Sequence, residues 1–208
     1  MPPPVHDKDR TALLFIDPYN DFLSEGGKVW PRIETVARKV GLLENLRALV
    51  DAARRLGVTV LHVPHRRWRE GDFDAWRHPM PWQLTIDREA LFADGTWGGD
   101  WHPDFAPQPG DVVAKEHWAA SGFANTDLDV LLRQHGVTHL LVVGLLANTC
   151  VEVTSRYATE LGYHVTLVRD ATAAYGEDRM HAAHELNGPT YAHAILTTAE
   201  LLAALRQG

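Results

Sequence analysis

The chain has a single cysteine, Cys150. One thiol excludes an intrachain disulfide and suits a reducing compartment. Positive charge is not in excess either. Twenty Lys and Arg stand against 27 Asp and Glu, a formal net charge of −7 with a pI near 5.9. A net acidic surface attracts neither a polyanion nor an anionic bilayer, so no nucleic-acid and no membrane partner is expected. No apolar run reaches the length that spans a bilayer. The opening residues Met1-Pro2-Pro3-Pro4-Val5-His6-Asp7 lack the apolar centre of a secretory signal. Internal repeats and low-complexity tracts are missing too. These absences predict a soluble, cytoplasmic protein.

What is present is enough for one core. The chain has 208 residues and is 45% hydrophobic, which suits a single α/β domain over 1–208. Residues 1–10 read as a loose, Pro-rich lead-in. Short apolar runs at 11–16, 58–63, 112–114, 138–143, 164–168 and 192–196 read as strands buried on both faces. Between them, apolar residues recur at helical spacing. Val36, Val40, Leu43, Leu46, Leu49, Val50 and Ala53 form one stripe over 34–56, stopped by Gly57. Further helices are predicted over 128–135, from Cys150 to about 161, over 178–186 and over 199–205. The alternation predicts a three-layer α/β/α, Rossmann-like fold with a mostly parallel six-stranded sheet.

Residues 65–110 break the pattern. Trp68, Trp76, Trp82, Trp97 and Trp101 lie among Arg66, Arg67, Arg69, Asp72 and Asp74, with a short helix predicted over 85–92. So long a connection is usually functional, and its tryptophans need burial, so the segment reads as a lid and interface.

Three polar residues end predicted strands: Asp17, Lys115 and Cys150. In an open α/β sheet that edge carries the ligand crevice. Cys150 also stands at the mouth of a helix, where free N–H groups favour a thiolate. Together they can run acyl transfer. Asp17 takes the thiol proton, Lys115 balances the charges, and Cys150 attacks a carbonyl. The bend before Cys150 can aim the backbone N–H groups of Leu146 and Cys150 at the developing oxyanion.

Three blocks carry a family resemblance. They are Phe15-Ile16-Asp17-Pro18-Tyr19-Asn20-Asp21-Phe22, then Val113-Ala114-Lys115 with 123–129, then 144–156 with Asn148-Thr149-Cys150-Val151-Glu152. In this order the chain resembles the isochorismatase-like cysteine hydrolases, the superfamily of nicotinamidases, N-carbamoylsarcosine amidases and ureidoacrylate amidohydrolases. The resemblance implies the sheet order 3-2-1-4-5-6, an Asp-Lys-Cys triad of Asp17, Lys115 and Cys150, and a cis peptide between Leu145 and Leu146. It implies no cofactor, and a homodimer or homotetramer. Three departures stand out. Tyr19 replaces the common Gln, and Ala147 replaces the common Thr. Between Lys115 and Phe123 there are two residues more than in the pattern Lys-x-x-aromatic-Ser-small-Phe.

The expected reaction is hydrolysis of a C–N bond in a small amide or carbamoyl (ureido) compound through an acyl-enzyme. Two rivals are a vinyl-ether hydrolase of isochorismate type, which the resemblance says does not need the cysteine, and a non-catalytic oligomeric interaction protein. Tyr19, Phe22, Trp118, Phe123 and His102 are the expected substrate contacts, while His117 reads as a loop histidine. His62, His65, His78 and His102 could gather around a metal, but no metal is the expectation, because Asp100-Trp101-His102 stands before the third strand rather than after the second. Glu152 and Arg156, one helical turn apart, are expected to pair.

Overall fold

The computed structural model describes residues 7–206. Most of the 1–10 lead-in therefore lies outside the described residues. Six strands form one sheet: β1 (Thr11–Ile16), β2 (Thr59–Val63), β3 (Val112–Val113), β4 (His139–Leu145), β5 (His164–Ala173) and β6 (Ala194–Leu196). Their order is β3-β2-β1-β4-β5-β6, and every pairing is parallel. This is the predicted order.

The central strands β1 and β4 are almost wholly buried because both sheet faces are covered. Along β1 the side chains alternate between two cores. Leu13 and Phe15 join Ile33, Val36, Leu46, Leu49 and Val50 on one side. Ala12, Leu14 and Ile16 join Leu128, Leu132, Val151 and Ala158 on the other. The first core is covered by α2 (Trp30–Val40) and α3 (Leu42–Leu56), the second by α5 (Leu128–Gln134) and α6 (Glu152–Glu160). The remaining helices are α1 (Asn20–Leu23), α4 (Pro81–Glu89), α7 (Glu177–His181) and α8 (Thr198–Leu205).

The stripe over 34–56 is two helices, not one. Gly41 sits at φ 70° and closes α2, and its carbonyl accepts Asn45 N–H at 3.0 Å to open α3. The Asn45 amide then donates to the freed Val40 carbonyl at 2.9 Å. The left-handed conformation is cheap for glycine, so the apolar period runs on while the backbone turns.

The Trp-rich segment folds onto the same core as β1. Trp101 pairs with Tyr19 across a short antiparallel bridge. Asp21, 2% exposed, holds the segment from below. Its carboxylate accepts Phe92 N–H at 2.7 Å and Lys28 N–H at 3.0 Å. The helix predicted at 85–92 starts earlier, as α4 at Pro81, because Gln83 caps Met80 N–H at 2.8 Å.

Candidate active site

Chain direction fixes where a crevice can lie. From β1 the chain builds outward through β2 to β3, then returns to place β4 on the other side of β1. Ligands bind at such a switch point, beyond the C-terminal strand ends. Asp17 follows β1 and Cys150 lies five residues past β4.

Two backbone devices bring them together. Asp17 has φ 56°, a left-handed conformation that Asp tolerates better than most residues. It is held there by its own N–H, which donates to Val63 O at 3.1 Å, and by Tyr19 N–H, which donates to Asp17 O at 2.8 Å. Gly144 has φ 107° and lies beside Ile16 in the sheet. A Cβ on it would stand 2.1 Å from Ile16 O, so only glycine lets β4 pass so close to the end of β1. The Leu145–Leu146 peptide that follows is cis. A wide π-type turn, Ala147–Val151, then carries Cys150 into α6.

Cys150 is 4% exposed and Asp17 is fully buried. Burial pushes the thiol well above its ordinary range, and the Asp17 charge pushes it further. Thr149 and the Leu146 backbone act the other way, favouring the thiolate. Sγ also lies 3.9 Å from the Ala119 carbonyl, beneath the loop that leads to Gly122. Gly122 N–H is pinned to Thr154 Oγ1 at 2.9 Å.

The third residue is not the one expected. Lys115 is exposed, its side chain has no ion-pair or hydrogen-bond partner among the described residues, and only its backbone N–H is engaged, by Asp127 Oδ1 at 2.7 Å. The side chain that meets Asp17 is His117. Its Nε2 lies 3.0 Å from Asp17 Oδ1, and the ring is fully buried. Ligand-type atoms of Asp17, His117 and Cys150 all lie within 4.8 Å of one another. The cause is register. His62 pairs with Val113 and His65 bridges His117. Three steps on the β2 side (65 − 62) thus match four on the β3 side (117 − 113), a bulge that re-aims the chain. The two extra residues before Phe123 were the signal. Counted back from Ser121-Gly122-Phe123, the pattern's lysine falls on position 117.

The other expected contacts mostly serve the core. Tyr19 is fully buried, and its hydroxyl donates to His65 O at 2.8 Å. Phe22 stacks on Phe92 at 4.7 Å. Phe123 stacks on Tyr157 at 5.6 Å. Trp118 leans on Trp76 at 5.4 Å, under the Arg66 guanidinium. His102 lines a hollow of about 450 Å³ with Leu23, Trp30 and Arg38, a lining that does not include Cys150. Ala147 packs into a small alanine cluster with Ala174 and Ala183. Glu152 and Arg156 do pair, at 2.9 Å, and Asn187 joins them.

The four histidines considered for a metal do not gather. His62 bonds Asp111 at 3.1 Å, His65 bonds Arg66 O at 2.9 Å, His102 accepts Asp104 N–H at 3.2 Å, and His78 is exposed. Among the described residues, only Asp17, His117 and Cys150 stand close enough to share an ion. Yet both ring nitrogens of His117 already face oxygen acceptors, Asp17 Oδ1 and, at 2.8 Å, Ala119 O. With both nitrogens so engaged, the ring would have to give up one of these contacts to bind a metal.

Comparison with known proteins identifies the family. The isochorismatase domain model matches residues 11–200. The chain is 31% identical to the ureidoacrylate amidohydrolase RutB of Caulobacter vibrioides, covering 96% of this chain and 92% of that protein. It is 32% identical to that of Agrobacterium fabrum, over 89% and 86%. A cysteine hydrolase from Pseudomonas syringae superposes with a TM-score of 0.78 at 25% identity, over 100% of this chain and 99% of that one. The N-carbamoylsarcosine amidase of Thermoplasma acidophilum superposes with a TM-score of 0.66, also at 25% identity, over 91% and 96%. The chain belongs to the isochorismatase family.

Proposed function

We propose that this protein hydrolyses a C–N bond in a small amide or ureide, with Cys150 as nucleophile and Asp17 as proton carrier. The observation that carries this is the meeting of the only thiol with a fully buried carboxylate at the sheet's switch point. Asp17 Oδ2 has no hydrogen-bond partner, so it is free to take a proton. The S–H bond breaks, an O–H bond forms on Asp17, and the thiolate adds to the substrate carbonyl. N–H groups of Leu146 and Cys150 receive the oxyanion. Asp17 returns its proton to the leaving nitrogen as the C–N bond breaks, then takes one from the water that cleaves the acyl-enzyme. Relatives named as ureidoacrylate amidohydrolases and an N-carbamoylsarcosine amidase support the ureido class of substrate. A homodimer or homotetramer is supported by the exposed Trp76, Met80, Leu84 and Trp97 on the Trp-rich segment.

The test is mass spectrometry of the intact protein after incubation with pooled amides and ureides. An acyl adduct on Cys150, absent from Cys150→Ala, is expected. Turnover that survives unchanged in Cys150→Ala would refute the nucleophile and favour the vinyl-ether alternative.

A further inference from the structure

We propose that His117, held as an imidazolium, is the third member of the relay in place of lysine, and that Lys115 is dispensable. The inference rests on the thiol-hydrolase reading above. It concerns the cation that lets Asp17 and Cys150 exchange a proton inside a closed site.

Geometry comes first. His117 reaches Asp17 Oδ1 through Nε2 at 3.0 Å and Ala119 O through Nδ1 at 2.8 Å. A carboxylate and a carbonyl both accept, so both ring nitrogens must donate, which is the charged form. The ring is fully buried, and a buried charge needs a partner. Asp17 is that partner. The groups facing the ring are Asp17 from the end of β1, His65 from the end of β2, Cys150 from the turn after β4, and Glu116 on its own loop. Glu116 is taken by Arg67 at 2.6 Å and Arg66 at 3.4 Å. His65 packs edge-on to His117 at 4.9 Å, and burial with the neighbouring His117 holds it down to about 4. His65 is therefore neutral, and the pair carries one positive charge.

That charge has work to do. Before transfer the site holds Asp17 carboxylate, imidazolium and thiol. Afterwards it holds a carboxylic acid, imidazolium and thiolate. The S–H proton moves to Asp17, His117 keeps both of its own, and the sum of charges stays zero. With a neutral ring the closed site would carry an uncompensated anion on both sides of the step, which burial disfavours. A lysine at 117 could supply the same charge, while one at 115 points to solvent.

The experiment compares full-length Lys115→Ala, His117→Lys and His117→Gln with the unaltered protein. Circular dichroism and a thermal melt confirm folding. Iodoacetamide labelling of the sole thiol is followed at neutral pH, and kcat and KM are measured on a substrate from the amide and ureide panel. Lys115→Ala is expected to stay within about twofold in labelling and turnover. His117→Gln is expected to label at least tenfold more slowly and lose at least a hundredfold in kcat, with KM within threefold. His117→Lys is expected to recover a tenth or more of kcat, because an ammonium at this position supplies the same charge. If His117→Gln labels and turns over as the unaltered protein does, or if Lys115→Ala is the variant that loses labelling and turnover, the proposal is overturned. Should His117→Gln not fold, Lys115→Ala and His117→Lys decide it. Labelling needs no substrate, so it judges the role of His117 even where the panel yields no turnover and the hydrolase reading itself fails.

Discussion

Replacing Asp17 with Asn should make the thiol easier to ionise and the enzyme nearly inactive. Asn tolerates the left-handed backbone at φ 56°, and its amide oxygen can still accept from His117, so the fold is expected to survive. What disappears is a negative charge within 4.8 Å of Sγ. At an effective dielectric near 20, two unit charges at that distance interact by about 3 kcal/mol. Screening is slight at a thiol that is 4% exposed, so the thiolate fraction at fixed pH should rise ten- to a hundredfold. The direction is firm, because the Asp17 charge and its contact with Sγ both hold the thiol up. Turnover should fall by about a thousandfold, since general acid and base help of this kind is worth about 10²–10⁴. The assay is the pH dependence of iodoacetamide labelling, clean because Cys150 is the only cysteine, beside kcat on the same preparation. A labelling curve that stays put or moves to higher pH in Asp17→Asn would refute the charge coupling. A curve that moves down with kcat intact would refute the proton-carrier role.

Stability should fall on mild acidification. Burial holds His65 and His184 down to about 4. Unfolded, each binds a proton near 6.5, so between about 6.5 and 4 the unfolded chain binds more protons and stability drops by about 1.4 kcal/mol per pH unit for each. Urea midpoints at pH 7 and pH 5 should show the loss, and His184→Gln, which can keep a bond to Thr172, should show a shallower slope; equal midpoints at the two pH values in the unaltered protein would contradict it. Gly144→Ala should cost at least about 3 kcal/mol or abolish soluble protein, because the new Cβ meets Ile16 O at 2.1 Å and φ 107° disfavours any side chain. A soluble, fully active Gly144→Ala would mean that β4 does not approach β1 so closely.

Much of this molecule was legible in local pattern. Continuous apolar runs such as Leu13 to Ile16 mark strands covered on both faces, and a parallel sheet is the architecture that covers them. Asp17 and Cys150 could be picked out because each stands just past such a run, where a parallel sheet leaves a crevice. Those features depend on residue type and short spacing, which the sequence states outright. The third relay residue depends on something else. Side chains alternate with a period of two, so a single unpaired residue between Val113 and His117 moves a side chain from one face to the other. That bulge exists only in the pairing of β3 with β2, and it turns Lys115 to solvent and His117 to Asp17. Gly41 is a similar case, where an unbroken apolar stripe conceals a change of helix axis. Tyr19 and Phe22 stand close after Asp17 in sequence and His102 just before the third strand, yet the first two pack into the core and the third lines a separate hollow. The sequence by itself determined the architecture and two of the side chains proposed to react, through hydrophobic period and strand-end position. Only the tertiary structure decided which side chain meets Asp17, because strand register is a property of two segments paired and not of either alone.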